Sequence, residues 1–439
     1  MSRILNAIRS SESEVKPSDD PIANNILDSL RKTRWKLSRI ERLSGSHGNF
    51  IYRGWLKRPD KDSYDTIVIK HAEPYAAFDN SLKLDVERSV YERMMIESLA
   101  DKNTTKYDRF IVRTPRFLSA DHYPNTILME DLPGSLTVKE YLYRYGETML
   151  PATARELGIT LGKWLKEYHL WLNGNDEKAM LLKQRIKGNT SMISSREQMY
   201  IGSYRNAMKQ FPTVTWPGSR HLDQIEDDIK KISREGASGI HGDFWTGNMI
   251  LKDKPLASQD GKTLYPTKIL ILDFEASQPG SRPQDLAQCL AELYMEHHFY
   301  GASAPLQIMQ GLIHGYFSPT EIPDKYDRTK STVDPASIWS EKDRLNFALN
   351  TAMHFGIHLV VVPNRAGWPK GEKMVACARL GNDYLLNGHN ADCPRFKNGP
   401  LHDLFPSFPP PPKVNRMEVV KRQKKKSKLK ALFCGCFGE

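Results

Sequence analysis

The sequence predicts an α+β protein of two lobes, a small lobe rich in β-strands followed by a large lobe that is mainly helical. Three observations support this prediction. A β-branched run at residues 66–70 follows a strand, a glycine turn and a second strand. A long amphipathic helix is indicated at residues 154–172, and only two short apolar strands, at 249–251 and 268–272, interrupt the later helical patterns. Separate runs of strands and helices are typical of α+β domains.

The small lobe is predicted at residues 34–132, after a polar lead-in over residues 1–33 that contains a short helix at 22–30. Two strands with a glycine turn between them are expected from 37 to 55, a third at 66–70, and two more near 116–119 and 126–129. A helix is predicted at 84–99, because Val86, Val90, Met94 and Met95 recur at spacings of one to four along this segment.

The large lobe is predicted at residues 133–404. Besides 154–172, its helices are expected at 285–300, 306–317, 341–361 and 372–386. Residues 405–439 are interpreted as a separate segment, in which the prolines at 406 and 409–412 form a stiff spacer before a basic tail.

Composition indicates a globular chain without a nucleic-acid partner. Of the 439 residues, 39% are hydrophobic and 26% are charged. The net charge is +11, but residues 413–439 hold nine Lys and Arg against two Glu, so the tail carries +7 and the preceding 412 residues only +4. The basic charge therefore belongs to the tail.

The lack of a recognisable targeting signal and the pattern of cysteines favour a cytoplasmic protein. No run approaches the ~20 apolar residues of a membrane span, and the first 21 residues lack the apolar centre of a signal peptide. The five cysteines are odd in number and scattered, so they predict neither a disulfide framework nor a metal site. A reducing compartment suits such a set.

The most informative stretch reads Ile-His-Gly-Asp-Phe-Trp-Thr-Gly-Asn-Met-Ile-Leu over residues 240–251, and Asp273 follows an apolar run at 269–272. Asp243 and Asn248 have the spacing of a kinase catalytic loop. A carboxylate there can take the proton of an acceptor hydroxyl, while an amide oxygen and a second carboxylate hold Mg²⁺, which prefers oxygen ligands. We assign Asp243 as the catalytic residue and Asn248 and Asp273 as metal ligands. A Gly-Asp turn alone is common and would usually be structural. The addition of Asn248, the apolar strand after it and Asp273 makes the catalytic interpretation the stronger one.

The sequence resembles the aminoglycoside phosphotransferase and choline kinase group. The residues that carry the resemblance are His241-Gly242-Asp243, Asn248, and Ile271-Leu272-Asp273-Phe274-Glu275, with Gly280 and Asp285-Leu286-Ala287 after them. The first lobe is most similar to methylthioribose kinases and to the fungal hydroxytryptamine kinase of psilocybin biosynthesis. The resemblance covers about residues 39–386 and implies the bilobal protein-kinase-like fold, ATP and Mg²⁺ as cofactors, and phosphoryl transfer to a small-molecule hydroxyl. It also implies a structural role for Asp285.

The nucleotide site is then expected in the first lobe. Gly45, Gly48 and Asn49 form a turn whose backbone N–H groups can approach phosphates, although a plain hairpin turn is the stronger interpretation of this segment alone. Lys70 ends the β-branched strand and is expected to reach the nucleotide phosphates.

Two further features of the nucleotide site are less determined. Two glutamates compete as the partner of Lys70: helical geometry places Glu87 in the apolar stripe, whereas the resemblance favours Glu92, which we choose. The resemblance also places a hinge at residues 129–132, where backbone groups of Glu130 and Leu132 would bind adenine.

Two other functions compete with that of a small-molecule kinase. A protein kinase is disfavoured because the loop lacks Arg before Asp243 and because Glu275 replaces the usual Gly. A non-catalytic, membrane-tethered binding module would be expected to have lost some of the polar residues of the site. Every expected polar residue is present, which disfavours this alternative. The acceptor stays open between an amino alcohol, a sugar and a secondary metabolite.

The tail has the features of a membrane anchor. Lys and Arg cluster at residues 421–430, and Cys434 and Cys436 follow among apolar residues. Each basic residue near an anionic membrane contributes about 1 kcal/mol, and acylated cysteines would supply the second signal that stable anchoring needs. We therefore predict peripheral membrane attachment, with a disordered or nuclear-localisation-like tail as the alternative.

Overall fold

The computed structural model describes residues 19–46, 48–59, 64–99, 104–235, 238–256, 266–318 and 340–405. The predicted tail with Cys434 and Cys436 lies outside these residues. The strands within them are β1 (Leu37–Arg42), β2 (Phe50–Leu56), β3 (Thr66–His71), β4 (Tyr75–Ala76), β5 (Asp79–Lys83), β6 (Thr105–Tyr107), β7 (Phe110–Arg113), β8 (Phe117–Ala120), β9 (Thr126–Glu130), β10 (Ser135–Thr137), β11 (Ser238–Ile240), β12 (Met249–Lys252), β13 (Thr267–Ile271) and β14 (Gln278–Gly280).

The helices alternate with these strands at first and then dominate the chain. They are α1 (Pro21–Leu30), α2 (Arg88–Leu99), α3 (Val138–Tyr145), α4 (Pro151–Leu172), α5 (Glu177–Arg185), α6 (Thr190–Met199), α7 (Ile201–Met208), α8 (Ser219–Glu235), α9 (Pro283–Tyr300), α10 (Ala304–Phe317), α11 (Glu341–Arg365) and α12 (Glu372–His389).

The first sheet is antiparallel, with strand order β1-β2-β3-β9-β8. Alternate residues of β2 are buried, as expected for a strand with one face on a core. The predicted helix at 22–30 is confirmed as α1, which packs on this sheet through Ile26 and Leu30. Asp20 caps α1 and also accepts a hydrogen bond from the Tyr52 hydroxyl at 2.8 Å. Asp20 and α1 are thereby held against the first sheet.

Helix α2 differs from its prediction. It begins at Arg88 rather than at residue 84, and Val90, which was expected on its apolar face, is 49% exposed. Its buried face carries two charged side chains, Arg88 and Glu92, beside Met95. The apolar spacing was misleading because this helix buries charges that serve the site.

The second sheet has the order β10-β12-β13-β7-β6, and β13 pairs with β7 in parallel. Strands β6 and β7 were not predicted from the sequence. They extend the sheet that contains β12, which follows the Asp243 loop, and β13, which precedes Asp273. Both segments are therefore anchored to one sheet, which also includes strands from residues 105–113.

The helical part is held by close backbone contacts and buried helices. A Cβ atom on Gly158 of α4 would lie 2.1 Å from the carbonyl oxygen of Ile308, so α4 and α10 approach more closely than any side chain would allow. Helix α11 is long and apolar enough to cross a membrane by length and composition alone. However, 67% of its apolar window is buried inside the protein, where α11 packs against α12 and α9. It is a core helix.

The predicted fold class is confirmed. The described residues form two hydrophobic cores, one beneath the first sheet and a larger one shared by the second sheet and the helices. The predicted helices at 154–172, 285–300, 306–317, 341–361 and 372–386 are confirmed as α4, α9, α10, α11 and α12. The division into residue ranges 1–33, 34–132, 133–404 and 405–439 stays a prediction.

Candidate active site

The loop between β11 and β12 is held by a buried carboxylate in the first turn of α9. Asp285 accepts hydrogen bonds from the backbone N–H groups of His241 and Gly242, at 2.8 and 2.9 Å, and contacts His169 Nε2 at 2.9 Å. Burial would raise the pKa of Asp285, but the hydrogen bond and charge of His169 outweigh it and lower that pKa. Gly242 has φ of 85°, and a Cβ there would lie 2.0 Å from the carbonyl oxygen of Ala276. Only glycine fits this position.

Asp243 lies at the centre of a small hydrogen-bond network. One carboxylate oxygen accepts from Gln288 Nε2 at 2.6 Å, and the other accepts from Asn248 Nδ2 at 2.8 Å and Trp245 Nε1 at 3.3 Å. Burial of the carboxyl group, together with the charge of Asp273, raises its pKa to about 6. These bonds use the amide nitrogen of Asn248 and leave its oxygen, the atom that a cation would bind, outside the network.

Lys70 reaches from β3 to a cluster of carboxylates. Its Nζ lies 2.6 Å from Glu92 Oε2, 2.5 Å from Asp273 Oδ1 and 3.8 Å from Glu275 Oε2. Burial alone would lower the pKa of Lys70, but these negative charges outweigh it and raise that pKa. Burial also raises the pKa of Glu92, whose side chain is 2% exposed. Glu87, the competing candidate, is exposed and precedes the helix, so the structure pairs Lys70 with Glu92.

The turn between β1 and β2 is tied to the same cluster. Gly45 has φ of 96°, and the Asn49 side-chain amide donates to Glu275 Oε2 at 2.6 Å. Arg88 donates to the carbonyl oxygen of Gly48 at 3.2 Å, and its Nε lies 3.4 Å from Glu275 Oε2. Glu275 therefore connects the turn to the segment that carries Asp273, and neither its contact with Asn49 nor the role of Arg88 was predicted.

The predicted hinge follows β9, and its acidic side chains are already paired. Arg113 binds the carboxylate of Glu130 through two hydrogen bonds of 2.6 and 2.7 Å, and Arg53 binds Asp131 at 2.7 Å. Leu132 is buried. Its acidic side chains are therefore already engaged within the protein, and the binding of adenine by backbone groups of Glu130 and Leu132 stays a prediction.

Helix α9 carries a polar stripe that sequence reasoning missed. Gln284, Gln288, Glu292 and Glu296 recur every four residues in a largely buried helix, and each is at most 9% exposed. Four-residue spacing places them on one helix face, and Gln288 on this face contacts Asp243. Buried polar residues at helical spacing in an apolar helix were the signal that could have found them.

Lys139 on α3 neutralises the acidic end of the stripe. Its Nζ lies 3.4 Å from Glu292 and 3.9 Å from Glu296, and it sits over the rings of Trp245 and Trp368, at 5.3 and 4.6 Å from their centroids. Cations are attracted to aromatic faces at such distances. The ammonium group of Lys139 therefore occupies the position between the acidic and aromatic side chains next to Asp243.

A cavity of about 580 Å³ opens on the other side of Gln288. Arg196 and His358 are among its lining residues. Arg196 donates hydrogen bonds to the carbonyl oxygen of Gly242 and, at 3.2 Å, to Gln288 Oε1. The cavity thus borders both the backbone of the loop and the side chain that holds Asp243. His354 also lines it, and burial lowers the pKa of this imidazole to about 3.

Similar proteins are found by sequence and by structure. No protein-family model matches the chain. The phosphotransferase FrzJ of a Cladobotryum species is 30% identical over 312 residues, which cover 68% of this chain and 80% of that protein. The 4-hydroxytryptamine kinase of Psilocybe cubensis is 24% identical over 325 residues, which cover 71% of this chain and 84% of that protein. A solved Plasmodium vivax ethanolamine kinase aligns with a TM-score of 0.44 and 12% identity, over 89% of this chain and 93% of that one.

The similarity to FrzJ extends over most of both chains. In the structure, Lys70 contacts Asp273 and Asn248 contacts Asp243. The family itself follows from the similarity to FrzJ. The protein belongs to the kinase-like family of phosphotransferases and is a small-molecule kinase.

Proposed function

We propose that Lys70, Asn248 and Asp273 bind ATP with Mg²⁺ and that Asp243 orients and deprotonates the acceptor hydroxyl. The observation that carries the proposal is the direct contact of Asp243 with Asn248 on one side and of Lys70 with Asp273 on the other. Phosphoryl transfer depends mainly on positioning and on neutralising charge, and this set supplies a base, oxygen ligands and a fixed ammonium.

The residues present suit a magnesium ion. Carboxylate oxygens of Glu92, Asp273 and Glu275 lie within 4.8 Å of one another. The backbone carbonyl of Asn248 accepts a hydrogen bond from the N–H of Leu272, the residue before Asp273, at 2.8 Å. Mg²⁺ requires oxygen ligands and is usually held by one or two carboxylates together with substrate phosphates. Asp273 and Asn248 would hold the ion, whose charge would neutralise the phosphates. Lys70 would bind these phosphates under the turn of Gly45, Gly48 and Asn49.

Glu92 fixes the ammonium of Lys70, and its replacement tests this role. We expect Glu92→Gln to lower kcat/KM for ATP by about 10²-fold, because misplacement of a catalytic group by about 1 Å has a cost of this size. Steady-state kinetics at saturating acceptor would measure it. Glu87→Gln, an identical change at an exposed position five residues earlier, is the control. Equal losses in both variants would contradict the role of Glu92.

The acceptor is proposed to be a small molecule with a hydroxyl group, either an amino alcohol, a sugar or a secondary metabolite. The name of the Psilocybe cubensis relative supports a nitrogen-containing secondary metabolite. Measuring ATP consumption against a panel of amino alcohols, hydroxyindoles and sugars tests the class. Absence of ATP consumption with every panel member, by a protein that still binds nucleotide, would refute the proposed activity.

We also propose that the protein is cytoplasmic and that its tail attaches it to anionic membranes. The support is the basic cluster at residues 421–430 followed by Cys434 and Cys436. Acylation of these cysteines would make part of the protein sediment with membranes, and hydroxylamine, which cleaves thioesters, should release it. Fractionation of cell lysates with and without hydroxylamine measures this, and a wholly soluble wild-type protein would rule it out.

A further inference from the structure

The cavity of about 580 Å³ beside Gln288 carries an excess of positive charge. Its charged lining residues are Lys187, Arg196 and Lys230 against Glu197 alone. Residues of α6, α8, α9 and α11 form its walls, and its volume lies in the range of ligand pockets, about 300–1,000 Å³. Clefts lined by one sign of charge concentrate ligands of the opposite sign. The cavity is therefore suited to a small anionic molecule.

Arg196 presents a guanidinium group that is fixed in place but only partly used. Its Nη1 donates to the carbonyl oxygen of Gly242 and, at 3.2 Å, to Gln288 Oε1. Within the described part of the chain, its Nε and Nη2 make no hydrogen bond, and neither is among the side-chain nitrogens that are buried without a partner. Both nitrogens therefore remain accessible. A guanidinium edge with two parallel donors matches the two oxygens of a carboxylate.

The two lysines on the wall have no partners of their own. Neither Lys187, just before α6, nor Lys230 on α8 forms an ion pair or a hydrogen bond with any residue that the structure describes. Lys187 is exposed and Lys230 is half-buried. A lysine ammonium is a point charge on a flexible stem, so both groups can turn towards a ligand in the cavity. An anion bound at Arg196 would then be surrounded by three positive charges.

The negative charges behind this wall are already engaged. Glu292 pairs with Lys139 and with His358. Asp243 is not among the lining residues, and Gln288, which is, donates to its carboxylate at 2.6 Å. The free charges that face the cavity are thus mainly those of the basic side chains.

The rest of the lining favours an anion with a short apolar body. Ile193, Tyr200 and Ile357 are lining residues, and Ser194 and Ser233 add hydroxyl groups. Ligand pockets typically combine apolar surface with a few polar groups that fix orientation. An inorganic ion would leave the apolar surface in contact with water, whereas an organic anion would cover it.

We propose that this cavity binds a small organic anion, a carboxylate or a phosphate ester with a short apolar body, whose negative group contacts Arg196, Lys187 and Lys230. The inference goes beyond the proposed function, because binding here requires no turnover. The anionic group can belong to the acceptor itself, with its hydroxyl at Asp243, or to a separate molecule. The experiment distinguishes these two sources.

The test compares two ligands of similar shape that differ in charge. Glutarate carries two carboxylates, and glutaramide replaces both by neutral amides. Calorimetric titrations of the full-length protein measure both, with a non-hydrolysable ATP analogue present so that Lys70 is not free to bind the anion. The variant combines Lys187→Gln with Lys230→Gln. Its control combines Lys178→Gln with Lys183→Gln, which remove the same charge from α5 outside the cavity.

Wild-type protein should bind glutarate about tenfold more tightly than glutaramide, because hydrogen bonds between charged groups are stronger than neutral ones. The double variant of Lys187 and Lys230 should lose most of this preference and keep its affinity for glutaramide, whereas the control should behave as wild type. Since neither lysine has a partner, the variant should also unfold at the wild-type temperature. Equal affinity of wild-type protein for the two ligands would overturn the inference. A preference that survives removal of both lysines would overturn it as well.

Kinetics with an acceptor then identify the source of the anionic group. If it belongs to the acceptor, 5-hydroxypentanoate should be phosphorylated in preference to 5-hydroxypentanamide, and glutarate should inhibit competitively. If it belongs to a separate molecule, glutarate should bind without competing with the acceptor. Either result supports the anion site. Absence of turnover with every acceptor would refute the proposed function, and the glutarate titrations would still decide whether the cavity binds anions.

Discussion

Replacement of Asp243 by Asn is expected to lower turnover by about 10³-fold, within the range that general bases contribute, while nucleotide affinity stays nearly unchanged. The carboxylate of Asp243 is held by donors from Gln288 and Asn248. An Asn side chain has nearly the same shape but cannot take a proton. Single-turnover measurements of phosphoryl transfer would separate this chemical step from product release.

Two controls make this result specific. Asp227→Asn, the same change at an exposed position of α8, should leave turnover intact. Calorimetric titration with ATP and Mg²⁺ should give the wild-type affinity for the Asp243 variant. If the Asp243 variant keeps appreciable activity with the true acceptor, the role of Asp243 as base is wrong.

Asp273→Asn is expected to lower turnover by about 10³-fold as well, because a bound metal ion contributes several kcal/mol of charge stabilisation and about 1.4 kcal/mol corresponds to each factor of ten. Asp273 has a left-handed backbone with φ of 67°, a conformation in which Asp and Asn are both enriched. The substitution therefore removes the charge without straining the loop. It should also weaken the dependence of nucleotide affinity on Mg²⁺.

Nucleotide titrations with and without Mg²⁺ would measure this second effect. Wild-type affinity for ATP should rise on addition of Mg²⁺, and the Asp273 variant should lose most of that rise. The Asp227→Asn variant again serves as control. An unchanged response to Mg²⁺ in the Asp273 variant would contradict its assignment as a metal ligand.

The sequence was most informative where the site is continuous along the chain. Asp243, Asn248 and Asp273 fall within about thirty residues, and their spacing alone reflects one loop and two adjacent strands. Lys70 was also predictable, because a lysine that ends an apolar strand needs a negatively charged partner where it enters the protein. The helical segments followed from periodicity, since their buried faces are mostly apolar.

Features that depend on distant contacts were not predictable. The apolar spacing around Val90 indicated a longer helix, whereas α2 begins at Arg88 and buries Glu92 to meet Lys70 from another strand. Strand β7 pairs with β13 across more than 150 residues, and no local pattern encodes such a partner. The placement of Lys139 beside Glu292 likewise depends on how two helices pack.

Helix α9 has two roles, which are carried by residues on successive turns. Asp285 fixes the loop backbone, and Gln288, one turn later, holds the carboxylate of Asp243. Glu292 and Glu296, on the following turns, lie beside Lys139 instead. Residues 292 and 296, together with Lys139, can therefore be varied in a focused library while residues 285 and 288 are held constant. Such a library would search for new substrates without disturbing the loop that carries Asp243, which makes this single helix the natural starting point for redesigning the enzyme.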